Sequence, residues 1–596
     1  MLPGSRCISW MFLGVALGAR AHAAAADDAA VALLGPERAT RWSPGVRGGI
    51  PARNKVCRTV SPPAAGDATE LIGRAIEACP SGQVVQLTRG TFNIDGGNFL
   101  LISKGITLRG AGPGQTILRK TDGARPGEER PGPKPSPLII VGPARWHVPG
   151  GRSADLTADA VKGGVSVKVV STAGFAPGMF VLIDELSGAG WRPDPLGRGK
   201  IWASSDLRVV WQRHDPPQPF DDPFPDAAQW FSRADRPINE IKEIAKVSGN
   251  ILTFTTPFHA SYRTSLGAQV SSYPYKFTQH VGIEDLTVTG GDDGNIRFLW
   301  AANSWAKQVE NSAWFGEGFA LNQTFGIEIR DSYVHDAVWA QPGGAGYALS
   351  MAEGTSEALV ENSIIVKANK VMVARSAGTA SVIAYNYVDD GYINTNTRWI
   401  EVGLNASHMV GSHHVLFEGN YGFNWDSDKT HGNATTHTIF RNHLTGRRRD
   451  FDDDAQGHGP LRCAGATAYS YWHAFVGNVL GVEGRMKGWA YESGKMTTSA
   501  VFLLGWDEFA PYNTDPRVKE TTLRHGNYDF LTQKVAWDPA VSERALPSSL
   551  YLDRKPAAFS AGRGYVWPWV DPIGTRKLYE LPAKVRFDAG TPFTQP

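Results

Sequence analysis

From residue 281 onward the chain repeats one unit, a short alternating apolar strand that runs into Asn or Asp. Copies include Ile283–Val288, Val309–Ser312, Ile327–Ser332, Leu359–Ile365, Val382–Val388, Val415–Asn420, Thr438–His443 and Phe475–Leu480. Aligning Asn362, Asn386, Asn420 and Asn442 gives spacings of 24, 34 and 22 residues. A period in the twenties with insertions is the signature of a solenoid. Strands that pair only with copies of themselves predict a parallel β-helix, in which each coil turns its alternate apolar residues into a narrow prism. The aligned Asn side chains then stack at a turn and bond to their own coil and the next, so they are read as structural.

The rest of the sequence agrees with a turn-rich β protein. There are 66 Gly in 596 residues, 42% hydrophobic and 20% charged residues, and a net charge of +2. Without a basic tail or strong positive charge, nothing calls for nucleic acid. The first residues predict an export signal: Arg6, the apolar run Ile8–Leu17, and Ala21-His22-Ala23 as a cleavage site. The mature protein is therefore expected to be secreted or periplasmic, with no membrane span. Cys7 would leave with the signal. Cys57 and Cys79 bracket a helical stretch, Asp67–Ala78, and either pair or remain buried thiols. Cys463 is left over, and the cysteine spacing suggests no zinc site.

The expected organisation is a signal at 1–23, a linker at 24–52, an N-terminal cap with the first coils at 53–140, and an inserted β-rich subdomain at 141–275. The main β-helix follows at 276–505 and a C-terminal cap or tail at 506–596. Within the insertion, Val165–Asp184 and Ile241–Pro257 read as β structure around a loop carrying Trp191, Trp202, Trp211 and Trp230.

Two stretches carry a resemblance. The opening Ala75-Ile76-Glu77-Ala78, then Val84–Phe92 and Gly105–Gly112, with the repeats behind it, resembles the pectate-lyase-like superfamily of right-handed parallel β-helices. That group includes pectate lyases, polygalacturonases, rhamnogalacturonases and epimerase-like proteins. The resemblance covers about 65–140 and 276–505. It implies that the first helix caps the β-helix and that the chain acts on a polysaccharide. Polygalacturonases carry Asn-Thr-Asp, Asp-Asp and Gly-His-Gly on successive coils. Here Asp389-Asp390 and Gly457-His458-Gly459 are too far apart for neighbouring coils, and no Asn-Thr-Asp precedes them. The Arg pattern of typical pectate lyases is also missing.

Charged residues recur three to eleven positions beyond the ladder point: His335 and Asp336, Lys367 and Lys370, Asp389 and Asp390, Asp426 to His431, and Arg447 to Asp450. Equivalent points stack about 4.8 Å apart per coil, which predicts one charged column. Asp389 or Asp390 with Asp426 or Asp428 are then the candidate carboxylate pairs of a glycoside hydrolase, one as acid and the other as base or nucleophile. His431, in a Gly-flanked turn, is a candidate acid/base or orienting group, with His408, His413 and His414 weaker candidates. Lys370, Arg447, Arg448 and His335 would contact substrate, and Trp314 and Trp339 would stack on sugar rings. The same column permits a lyase, with Asp426 and Asp428 holding Ca²⁺, Lys370, Lys429 or His431 as base and Arg447–Arg449 binding an acidic sugar. A non-catalytic carbohydrate-binding scaffold is the third reading. Paired Asp favour hydrolysis, which needs no cofactor. The oligomeric state is left open.

Overall fold

The strand pairings build a right-handed parallel β-helix with an inserted β domain. The computed structural model describes residues 30–125, 127, 135–143, 151–186, 233, 236–340, 345–393, 403–408, 411–428, 432–449, 460–506, 514–562 and 564–593. Most coils contribute three short strands, one to each face, while Gly282–Thr289 and Trp305–Ser312 each span the first two faces as one longer strand. On the first face, mid-strand residues stack in register from Val85 through Leu108, Ile283, Ala306, Ile329, Val360, Ile383, Phe417 and Ile439 to Phe475. All ten are buried, and they form one wall of the continuous core. Alternation makes this possible, because the residues on either side of each point outward.

The corner between the first and second faces is a two-residue device. A residue in the left-handed region (Asp331, Asn362, Tyr385, Gly419, Arg441, Gly477 or Gly526) reverses the chain. The next residue is Ser332, Ser363, Asn386, Asn420, Asn442, Asn478 or Asn527. From Asn386 upward these are joined by amide-to-amide hydrogen bonds of 3.0, 2.9, 3.1 and 2.9 Å. Glycine is needed where the corner is crowded: a Cβ on Gly419 would stand 2.4 Å from the Tyr385 ring. The expected alignment needs one correction. Ile364 pairs with Tyr387, so Ser363 occupies the ladder position and Asn362 sits one residue before it. Asn527 extends the ladder one coil beyond the expected copies.

The helix Thr69–Ala78 buries Ile72, Ala75 and Ile76 against the first coils. A disulfide joins Cys57 to Cys79, while Cys463 is buried and free. The bridge closes a loop with a sequence separation of 22. Replacing both cysteines by serine should cost about 3 kcal/mol, read as a shift in the denaturation midpoint; no shift would show that the cap holds without it.

The insertion leaves the β-helix after Ile139–Val141. It folds as six antiparallel strands whose outer members meet through a Leu156–Val169 bridge, closing a small barrel around its own core. Phe180, Leu182 and Ile241 pack it against Leu299, Trp300 and Phe325 of the coils. Behind them lies a buried charge network in which Lys242 bonds both Glu240 and Glu357 at 2.8 Å.

Two segments run along the stack rather than around it. Within the stretch expected to be a linker, Leu33, Leu34 and Trp42 are buried. Arg38 reaches the Trp472 carbonyl, Gly45 that of Glu357 and Arg53 that of His280, so this segment straps many coils. The C-terminal segment returns over the first and second faces. Arg441 binds carbonyls at Leu546, Pro547 and Val570, Trp569 donates to Gly419, and Arg586 donates to Asn362. Among the described residues no helix is long and apolar enough to cross a membrane.

Candidate functional site

The third face carries a buried cluster of charged side chains. Its strand Trp425–Ser427 turns Trp425 into the core and Asp426 outward, and Asp428 follows on the same side. The neighbouring coil lays Leu404 beside Trp425, which brings Asn405 and Ser407 alongside the two carboxylates. The Ser407 hydroxyl accepts from the Asp428 amide at 2.8 Å and donates to Asn405 Oδ1 at 2.9 Å. One further coil back, Lys370 donates to Asp428 Oδ2. His408 Nδ1 lies 3.2 Å from both Asp428 oxygens. On the opposite side Arg462 donates through Nε to Asp426 Oδ2 at 2.9 Å, and its guanidinium lies 4.6 Å from the Trp506 ring centre.

These groups are buried, so desolvation acts strongly on their charges. Burial raises Asp426 above the usual carboxylate range, against the opposing pull of Arg462 and Lys370. Burial alone would raise Asp428 too, but Lys370 and His408 outweigh it and hold it well below that range. Two carboxyls two residues apart are thus displaced in opposite directions, the kind of arrangement that separates an acid from a base. Asp426 Oδ1 is buried and accepts no hydrogen bond from the described residues. Room for it comes from Gly465 in the next coil, where a Cβ would stand 2.0 Å from that oxygen.

The expected pairing across coils is not what the structure shows. Asp389 and Asp390 end a second-face strand, in a cluster of their own. Tyr387 donates to Asp389 at 3.2 Å, the Arg449 amide donates to it at 3.2 Å, and the Arg449 side chain binds Asp390. The reason is the corner that follows. Asp389 and Asp390 lie before it, level with Phe423 and Asn424, whereas Asp426 and Asp428 lie beyond it, so counting from the ladder placed two faces in one column.

Arg448 and Arg447 serve the carbonyls of Gly391 and Arg485, at 2.6 and 3.2 Å. His335 bridges Asp336 and Glu310 at 2.7 and 3.4 Å, far down the second face. Trp314 is fully buried in the main core and Trp339 packs with Ala124, Val338 and Ala345, so neither offers a sugar platform. His431, Lys429, Asp450, the Gly457-His458-Gly459 motif and the four Trp of the insertion lie outside the described residues. Asn405, Ser407 and Arg462 were not anticipated, and His408 only weakly.

No family model matches the chain, and no curated protein matches it in sequence. Similarity appears among solved structures. A tailspike of Pseudomonas phage phi297 is 11% identical over 77% of this chain, with a TM-score of 0.47. A tailspike of Acinetobacter baumannii phage AP22, solved with capsular saccharide, is 11% identical over 71%, with a TM-score of 0.42. A polygalacturonase from Erwinia carotovora is 10% identical over 73% of this chain and 90% of its own length, with a TM-score of 0.31. The chain spans 62% and 57% of the two tailspikes' lengths. At these identities and TM-scores the likeness carries no argument about the site, and every site residue rests on the geometry above.

The separate Asp389 cluster has its own consequence. Burial, then the neighbouring Asp390, pushes Asp389 up to about 7. A carboxyl raised on folding contributes stability that is complete below its unfolded value near 4 and is lost as pH rises through 7. Asp389→Asn should flatten this fall, which runs at up to roughly 1.4 kcal/mol per pH unit. Melting temperatures from pH 4 to 8 check it. An unchanged slope would assign the dependence elsewhere.

Proposed function

We propose that this chain cleaves a polysaccharide by hydrolysis on the third face, with Asp426 as proton donor and Asp428 as the base that activates water. The supporting observation is that two buried carboxyls two residues apart, one held by Arg462 and the other by Lys370 and His408, are displaced in opposite directions. Lys370 and His408 keep Asp428 ionised and oriented, and Arg462 positions Asp426. His431, three residues beyond Asp428, stays with this proposal as an assisting acid/base.

Lys370 and Arg462 favour one second reading. Two cations in one cluster suit a lyase, in which a guanidinium binds a uronate carboxylate and an amine removes the adjacent proton. The donor set does not fit Ca²⁺ at this point, because Asp426 and Asp428 are each engaged by a cation of the protein. No step is routed through a metal. We also place the protein outside the cytoplasm, a reading supported by the residues 6–23 pattern and by the Cys57–Cys79 bridge.

Incubation with a panel of neutral and acidic polysaccharides tests the assignment. New reducing ends without ultraviolet absorbance are expected. Unsaturated ends would select the lyase, and no product across the panel would leave a binding scaffold.

A further inference from the structure

The barrel, the N-terminal strap and the coils meet at a cavity of about 890 Å³, and two adjacent histidines sit in its wall. His413 and His414 are buried, and their Nδ1 atoms lie 2.8 Å apart. Each end of this pair is tied to a different part of the molecule. His413 Nε2 is 3.2 Å from the Thr379 hydroxyl, which itself donates to the Asn239 carbonyl of the barrel at 3.0 Å. His414 Nε2 is 3.0 Å from Lys162 of the barrel and 3.1 Å from the Glu37 carbonyl of the strap.

The proton positions follow in order. A hydroxyl carries one proton, and Thr379 gives it to Asn239, so Thr379 accepts from His413 Nε2–H. His413 Nδ1 is then the acceptor and His414 Nδ1–H the donor. His414 Nε2 is left as acceptor for Lys162, which also donates to the Glu37 and Pro36 carbonyls at 2.9 and 3.1 Å. In this arrangement one proton lies between the two rings and both rings are neutral. A proton added to His413 Nδ1 would collide with the one already between the rings. A proton added to His414 Nε2 would face the Lys162 ammonium at 3.0 Å as well as the Glu37 carbonyl at 3.1 Å.

Other charged groups border the cavity: Glu37 and Arg41 from the strap, and Lys162, Glu185 and Arg263 from the barrel. Glu185 and Arg263 form their own ion pair at 2.5 Å. A third histidine repeats the theme. His259 Nδ1 is 2.8 Å from the Thr40 hydroxyl of the strap, and its Nε2 is 3.3 Å from Glu357, within the Lys242–Glu240 network. Trp42 Nε1 donates to the His414 carbonyl at 2.9 Å, so displacing His414 disturbs the strap directly.

We propose that His413 and His414 form an acid-released latch: neutral, they fasten the strap and the barrel to the coils, and protonation opens that junction while the β-helix stays wound. Hydrogen exchange of the intact protein, corrected for intrinsic rates, tests it between pH 7.5 and 5. Amides of residues 39–46 and of the barrel face at 239–241 should lose at least tenfold in protection on acidification, with those of Ile283–Val288 unchanged. Lys162→Met, which removes the opposing ammonium, should move the transition to higher pH. The His413→Asn/His414→Asn double variant should abolish it. Protection at 39–46 that holds to pH 5 in the wild-type protein, or a transition that Lys162→Met leaves in place, would overturn the proposal.

Discussion

Asp428→Asn should lower turnover of the cleaved polysaccharide by about 10²–10⁴-fold, the contribution typical of a positioned acid or base. The side chain keeps its shape, and the bond from the residue 428 backbone amide to the Ser407 hydroxyl is untouched. The side chain loses the charge that sits between Lys370 and His408. A neutral amide cannot take a proton from water, so binding should change less than turnover. The variant also removes the carboxylate that Lys370 contacts in a buried setting, which costs stability, so folded fraction must be measured beside activity. Asp426→Asn removes the proton donor and should produce a loss in the same range, and the alkaline limb of the rate profile should vanish with it. Asp389→Asn is the contrast: its cluster lies on another face, and activity should stay within about twofold of wild type at pH 7. Full activity in Asp428→Asn, or a collapse in Asp389→Asn with folding intact, would return the chemistry to the second face.

The second large effect is on stability. Asn442 Oδ1 accepts from the Asn420 amide and side chain, both at 2.9 Å. Its Nδ2 donates to the Phe417 carbonyl at 2.9 Å and to Asn478 Oδ1 at 3.1 Å. Asn442→Ala strands these partners in a buried corner. Each unsatisfied buried group costs ~1–3 kcal/mol, although such losses are not additive. A loss of about 4 kcal/mol is expected, placing the variant among the most damaging single changes. Denaturant titration measures it, and a loss below about 1 kcal/mol would mean that the ladder is not what holds the corner.

The winding was legible because it is written in local terms. Alternation inside each strand fixes what points inward, and Gly-Asn at 419–420 and 477–478 marks a left-handed residue followed by a ladder residue. Serine at 332 and 363 performs the same task with a shorter side chain, which is why Asn362 was a misleading marker. The site was half legible. Asp426, Asp428 and Lys370 were among the candidates, but their partner Arg462 lies beyond an excursion of variable length, where no periodic count reaches it. Trp314 illustrates the opposite error. A large aromatic in a sugar-active fold invites a stacking role, yet its position on an inward turn commits it to the core. The strap at residues 38–53 was hidden for a third reason: it bonds chiefly through arginine and backbone groups to carbonyls on distant coils, and such contacts leave no apolar period.

Crystals of the Asp428→Asn protein soaked with a substrate oligosaccharide provide the most direct measurement. The scissile linkage should lie over the third face, with its bridging oxygen within hydrogen-bond reach of Asp426 and a sugar ring above Ser407. Density for the sugar in the barrel cavity, or beside Asp389 and Arg449, with the third face bare, would contradict the assignment.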